Sequence, residues 1–453
     1  MNQANGLTSR LITLLLTAVL AAAPAIAQEE DERARRDKQE TKQAQAVSKE
    51  IYDQIQKAQE EVDAKNYNEA LKILDRLRSK DSLTDYERQN VLNYVGFVHY
   101  NMDNIDAAIA TYVEMLKIPT MEDQVRKQTI YTLAQLNTMQ EKYTDAINLL
   151  DEYFVLETNA AADAYILYAQ NLYQVNRYND MVPAIEKGMS VAEARDKEIK
   201  EDWYVLLNFA YFQLENYEKV RDIQKTLLVK WPKKRYWFSL AGAYTELGED
   251  ENLVYAYDAA HTQGLLEKEA ELVTMAQLFL QAEVPYKAGT LLQGEIESGR
   301  VSGEAKNYRL LSQAWQLAQE DELAIPALQA AAKGTDDGEL DVRLGNAYLN
   351  LSQYQNCADA VRSGLRKGGL KKEENAQISL GMCLYNLKEY QPAITAFEAA
   401  SKDRGSRQIA AQWIAVINSD LERNEQIRLA EAAARRQAEA LEKRLERSRA
   451  NRI

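Results

Sequence analysis

The chain has 453 residues, 27% of them charged and 46% hydrophobic, and a formal net charge of −14. So acidic a balance argues against nucleic acid, whose binding relies on basic surface. His99 and His261 are the two histidines, and Cys357 and Cys383 the two cysteines; they show no zinc-ligand spacing and no Ser/His/Asp or Cys/His arrangement. P-loop, EF-hand and Gly-x-Gly-x-x-Gly signatures are absent as well. No cofactor, metal site or catalytic centre is expected.

Residues 1–27 read as a cleavable export signal. Arg10 is the positive start, Leu11 to Ala23 the apolar stretch, and Ala25-Ile26-Ala27 the small-x-small cleavage site. Cleavage after Ala27 leaves Gln28 first, so no cysteine is available there for a lipid anchor. Losing Arg10 takes the charge from −14 to −15. The expected location is the periplasm, with no stable membrane insertion. Residues 28–46 are densely charged and nearly devoid of large apolar side chains, which predicts a disordered lead-in.

From 47 to about 405 a helical pattern repeats. Ten turn positions recur at intervals of 33 to 39 residues: Tyr67, Ile105, Tyr143, Tyr178, Tyr217, Asp250, Pro285, Asp321, Tyr354 and Tyr390. Three residues further on sits a mostly small apolar residue: Ala70, Ala108, Ala146, Met181, Val220, Leu253, Ala288, Ala324, Cys357, Ala393. Nine residues before each turn from the second onward sits another: Gly96, Ala134, Ala169, Asn208, Ala241, Ala276, Ser312, Gly345, Gly381. Large residues flank them, such as Tyr112, Trp315 and Phe397. Small side chains at both places let two helices approach closely, and the large ones fill the space beside them. The prediction is an all-α solenoid of about ten helix pairs, which stacks into one continuous core.

Trp237…Leu240-Ala241…Tyr244…Leu247-Gly248, with Ala393…Phe397 and Ala108…Tyr112 on the second helices, resembles the tetratricopeptide repeat. Pro119 and Pro232 fall at or beside that family's repeat-ending proline. Asn208 and Val220 in place of small residues, and Asp250 and Asp321 in place of the turn tyrosine, depart from its pattern. The resemblance implies a right-handed solenoid whose first helices line a concave wall that binds other proteins.

In that frame one face of the first helices is rich in carboxamides and aromatics. The candidate partner groove comprises Tyr100, Asn101, Gln135, Gln170, Tyr173, Gln174, Phe212, Gln213, Gln277, Gln281, Gln313, Asn346, Asn350, Tyr385 and Asn386. Spacing of i, i+3, i+4 gathers them on one side of each helix. Amides both donate to and accept from a peptide backbone, and aromatics give apolar contact. The opposite reading is a solvated wall of uncharged polar residues. Lys230-Trp231-Pro232-Lys233-Lys234-Arg235-Tyr236-Trp237 mixes cations and rings that can hold an anion, but Trp237 and Pro232 also suit a structural junction. His99 is expected packed and neutral in a first helix, His261 exposed at the end of a second. Cys357 and Cys383 fall on helices that pack together, so they can bridge, or serve as two small buried thiols.

After Gly405 there is no proline or glycine, which predicts a helix from Ser406 to about Arg449. Ile409, Trp413, Val416 and Ile417 should cap the last pair. Residues 422–453 carry +3 beside a body of −18 over 28–421, a basic tail suited to a second contact. The ending Gln412-Trp413-Ile414 running into an Arg/Glu helix is similar to periplasmic repeat proteins that accompany TonB–ExbB–ExbD systems. That resemblance implies an envelope protein, a TonB-like component among them, as partner. The competing functions are an adaptor for cell-wall or outer-membrane assembly and, from another class, a glycan-processing solenoid. The last would need a catalytic Glu in an added globular domain, and no such domain is seen in the sequence.

Overall fold

A computed structural model describes residues 47–333 and 335–450; the expected export signal and lead-in lie outside them. Every element among the described residues is helical. The chain divides at Pro232 into two compact units, which a single expected stack of 47–405 did not anticipate. The first unit pairs α1 (Lys49–Asp63) with α2 (Tyr67–Arg78), α3 (Asp85–Asn101) with α4 (Ile105–Met115), and α5 (Asp123–Met139) with α6 (Tyr143–Leu156). Its last two pairs are α7 (Ala162–Gln174) with α8 (Tyr178–Glu193), and α9 (Glu201–Gln213) with α10 (Tyr217–Lys230). The second unit pairs α11 (Lys234–Leu247) with α12 (Asp250–Thr262), α13 (Glu269–Gln281) with α14 (Pro285–Glu297), and α15 (Ala305–Leu317) with α16 (Asp321–Lys333). Then come α17 (Gly338–Asn350) with α18 (Tyr354–Lys367), α19 (Glu373–Asn386) with α20 (Tyr390–Ala400), and a final α21 (Arg407–Ala450). Among the described residues these make five antiparallel helix pairs in each unit.

Each predicted turn position is the first residue of a second helix. The local cause lies in the backbone. Two residues before each second helix, one residue turns left-handed: Lys65, Asp103, Glu141, Asn176, Glu215, Gly248, Glu283, Gln319, Ser352, Lys388. The next N–H then reaches back five residues, as in Asn66 to Glu61 O at 2.7 Å, Lys142 to Asn137 O at 2.8 Å and Glu389 to Leu384 O at 2.9 Å. This bond satisfies a carbonyl that the first helix would otherwise leave orphaned, and reverses the chain in a few residues.

Small-against-large contacts hold each pair. A methyl at Gly96 would stand 2.7 Å from the Tyr112 ring, and one at Gly381 2.7 Å from that of Phe397, so only a hydrogen fits. Ala70, Ala108, Ala146, Ala288, Ala324, Cys357 and Ala393 are wholly buried. At Leu253 the expectation fails: it is half-buried, and Val254 and Tyr257 pack against the core instead. Polar ties between pairs keep the repeat's spacing, such as Lys142–Asp106 at 2.8 Å and Lys234–Glu271 at 2.9 Å. The exposed Lys142–Asp106 tie adds little stability.

The final helix covers the open end of the last pair. Ala410 and Ile417 are fully buried, and the Trp413 ring stacks on Phe397 with centroids 5.7 Å apart. Beyond Leu421 its described side chains are nearly all exposed. No described helix is long and apolar enough to cross a membrane.

Candidate functional site

The predicted groove residues all fall on first helices and none is buried. In the first unit Tyr100 and Asn101 lie on α3, Gln135 on α5, Gln170, Tyr173 and Gln174 on α7, and Phe212 and Gln213 on α9. In the second, Gln277 and Gln281 lie on α13, Gln313 on α15, Asn346 and Asn350 on α17, and Tyr385 and Asn386 on α19. Asn101, Phe212, Gln213, Gln277, Gln281, Gln313 and Asn350 are exposed, and the others half-buried.

Neighbouring first helices meet along this row. Thr138 donates its hydroxyl hydrogen to Asn171 Oδ1 at 3.0 Å, joining α5 to α7. Tyr173 meets Phe209 edge to face with centroids 4.9 Å apart, joining α7 to α9. In the second unit Arg343 Nε donates to Gln316 Oε1 at 2.8 Å, joining α15 to α17. These contacts tie neighbouring first helices twice in the first unit and once in the second.

Not every candidate is free to act. Asn101 and Asn386 donate to the carbonyls of Phe97 and Met382 one turn back, at 2.8 and 2.9 Å. Asn350 donates to Asp321 Oδ2 at 2.7 Å. Tyr385 donates to Asp420 Oδ2 on α21 at 2.7 Å, a bond that pushes its phenol pKa up, and its ring meets Trp413. The final helix therefore engages one end of the row. By contrast Gln277, Gln281 and Gln313, all exposed, make no side-chain hydrogen bond among the described residues. They form the part of the wall with amide groups available to a partner.

The remaining candidates resolve into structural roles. Cys357 and Cys383 are wholly buried, their Cα atoms 6.0 Å apart and their sulfurs in contact as a disulfide requires. Along the basic stretch, Lys230 stands over the Tyr204 ring at 5.0 Å, and Lys234 bonds Glu271 at 2.9 Å. Trp237 packs against the second unit's core, so those side chains serve the fold on both sides of the division. Burial pushes the His99 pKa down, which keeps its half-buried imidazole neutral. The expectation for His261 is corrected: its side chain is only 29% exposed, with Nε2 3.4 Å from Glu295 Oε1. A carboxylate one repeat along draws it inward. No group of three His, Cys, Asp or Glu fit to hold a metal occurs among the described residues.

No family profile matches this chain, and no curated protein does either. Solved structures do resemble it. A tetratricopeptide repeat protein from Parabacteroides merdae is 14% identical, covers 59% of this chain and 99% of its own, and superposes with a TM-score of 0.35. The TPR2AB domain of yeast Sti1, solved in a complex with pHSP90, is 13% identical over 58% of this chain and 98% of its own, with a TM-score of 0.34. MamA from Desulfovibrio magneticus is 15% identical over 38% of this chain and 93% of its own, with a TM-score of 0.32. At such scores the assignment of helix pairs rests on the turns and contacts described above.

Proposed function

We propose that this protein is a non-catalytic scaffold of the cell envelope that holds a protein partner along its first-helix wall. The observation that carries the reading is the run of exposed, unengaged carboxamides at Gln277, Gln281 and Gln313, continuous with Asn346. Such a surface suits a partner's backbone, because each amide offers two donors and an acceptor without the desolvation penalty of a charge. The signal-like residues 1–27 support export to the periplasm, and a disulfide at Cys357–Cys383 suits that oxidising compartment. A task beside TonB-type energy transduction is the most specific form of the proposal. It rests on the Gln412-Trp413-Ile414 ending, of which Trp413 and Ile414 also serve as packing residues of the cap.

Replacing Gln277, Gln313 and Asn346 together by Glu tests the wall. Capture of partners from envelope extracts should fall about tenfold or more, equivalent to about 1.4 kcal/mol. Undiminished capture by a folded variant would reject the groove. Amino-terminal sequencing of periplasmic protein should start at Gln28.

A further inference from the structure

We propose that the first-helix wall of the second unit receives an anionic segment of its partner, with a carboxylate seated on Arg343 and an apolar side chain beside Leu317. This rests on the reading of that wall as a binding face, and adds the chemistry of what it binds.

Arg343 is the anomaly that points there. It lies on α17 and is half-buried. Its Nε and Nη2 both donate to one neutral acceptor, Gln316 Oε1 on α15. Among the described residues it forms no ion pair. The cation nearest it in sequence register, Arg309 on α15, already has Nη2 on Asp337 Oδ2 at 2.9 Å. Burial, and secondly the Arg309 charge, push the Arg343 guanidinium pKa down, while Glu339 and Asp337 pull it up. Lys127–Glu157 at 2.8 Å and Lys367–Asp341 at 2.7 Å give a cation a carboxylate. Half-buried Arg126 donates to two backbone carbonyls, whereas both Arg343 bonds go to one side-chain amide. A partly desolvated cation whose hydrogen bonds go only to an amide still lacks a directly paired carboxylate. A carboxylate arriving from outside would relieve it, and a planar guanidinium accepts one through two parallel bonds. In a chain of net charge −14, such a spot also stands out against the surrounding field.

The same α15 helix supplies the second anchor: Leu317 directly follows Gln316, the residue that takes both Arg343 bonds. Leu317 is 57% exposed and Tyr286 likewise 57%. With Val284 they line a shallow cavity of about 470 Å³ at the turn end of the helices. The fitting ligand is therefore a peptide that carries a carboxylate and an apolar residue close together. That carboxylate is either an acidic side chain or a chain terminus.

Three fluorescein-labelled synthetic peptides, each with one leucine, test this on the purified full-length mature protein. The first carries glutamates flanking the leucine and an amidated end. The second has a free terminal carboxylate there and no acidic side chain. The third has glutamine and an amidated end. At least one carboxylate peptide should bind about tenfold more tightly than the third, and raised salt should weaken it. Which one binds identifies the source. Arg343→Met should remove that preference while leaving the urea midpoint unchanged or higher, and Arg343→Lys should keep part of it. Equal binding of all three peptides would overturn the proposal. So would a lowered midpoint in Arg343→Met, because the residue would then be structural. If no peptide binds and the Gln277/Gln313/Asn346 variant still loses its captured partner, the wall stands and the anionic assignment falls. If that variant keeps its partner as well, both fall.

Discussion

The α19–α20 and α9–α10 pairs use the same two positions to opposite effect. In the former, Gly381 receives the fully buried Phe397 ring, and Trp413 stacks on the far side. In the latter, the matching positions hold Asn208 and Gln224. Gln224 is 2% exposed, and the buried Asn208 Oδ1 and Gln224 Oε1 find no donor. Every other pair places small against large apolar residues there, as Ala134 and Leu150 or Gly345 and Val361 do. One geometry thus serves both a dry joint and a polar one. The second is weaker by construction, because a buried acceptor without a partner costs about 1–3 kcal/mol. The polar joint belongs to the last pair before Pro232, where the first unit ends.

The largest test breaks the dry joint. Phe397→Ala should cost about 3–5 kcal/mol in urea unfolding, from lost burial and an unfilled cavity. Trp413 fluorescence should change with it. A loss below about 1 kcal/mol would show that the cap does not depend on this ring.

Converting the polar joint should do the reverse. Asn208→Ala with Gln224→Leu should stabilise the first unit by about 1–3 kcal/mol, since two unsatisfied oxygens leave and an apolar contact replaces them. Hydrogen exchange should slow in α9 and α10 ahead of other helices. Slower exchange spread evenly over both units would argue that this joint is not the weak one.

A smaller effect depends on pH. Glu87 caps α3 with Thr84 and ties it to the start of α1. Bonds from the Ser48 hydroxyl, then from the Ser48 backbone N–H, hold its carboxyl down at about 2 against an ordinary 4.5. A depressed carboxyl stabilises the fold above the unfolded value and ceases to do so as pH falls. Stability should therefore decline between about 4.5 and about 2. Glu87→Gln should flatten that decline, and an unaltered pH profile would dismiss the tie.

What the sequence made legible follows the same division between backbone period and side-chain pairing. All ten turns could be located because spacing is a property of the chain alone: a helix of fixed pitch, a turn of fixed length, a small residue three places on. The contact of Cys357 with Cys383 followed from that frame. The break after Pro232 did not, because Trp237 continues the pattern without interruption. Arg343 escaped notice because its half-buried state depends on Gln316, a repeat away. His261 was misplaced for the same reason: position in the repeat predicted exposure, and Glu295, thirty-four residues on, decided otherwise.

Nine of the ten left-handed joints carry a residue other than glycine, drawn from Lys, Asp, Glu, Asn, Gln and Ser. The fastening there is main chain to main chain, so most of these side chains add little to it, Asn176, which accepts from the Tyr178 hydroxyl, being an exception. The non-glycine sites form a ladder of addresses. A cysteine for a spin label at Glu141 or Gln319 would inherit the backbone strain already present and add none, which allows the molecule's motions to be mapped pair by pair.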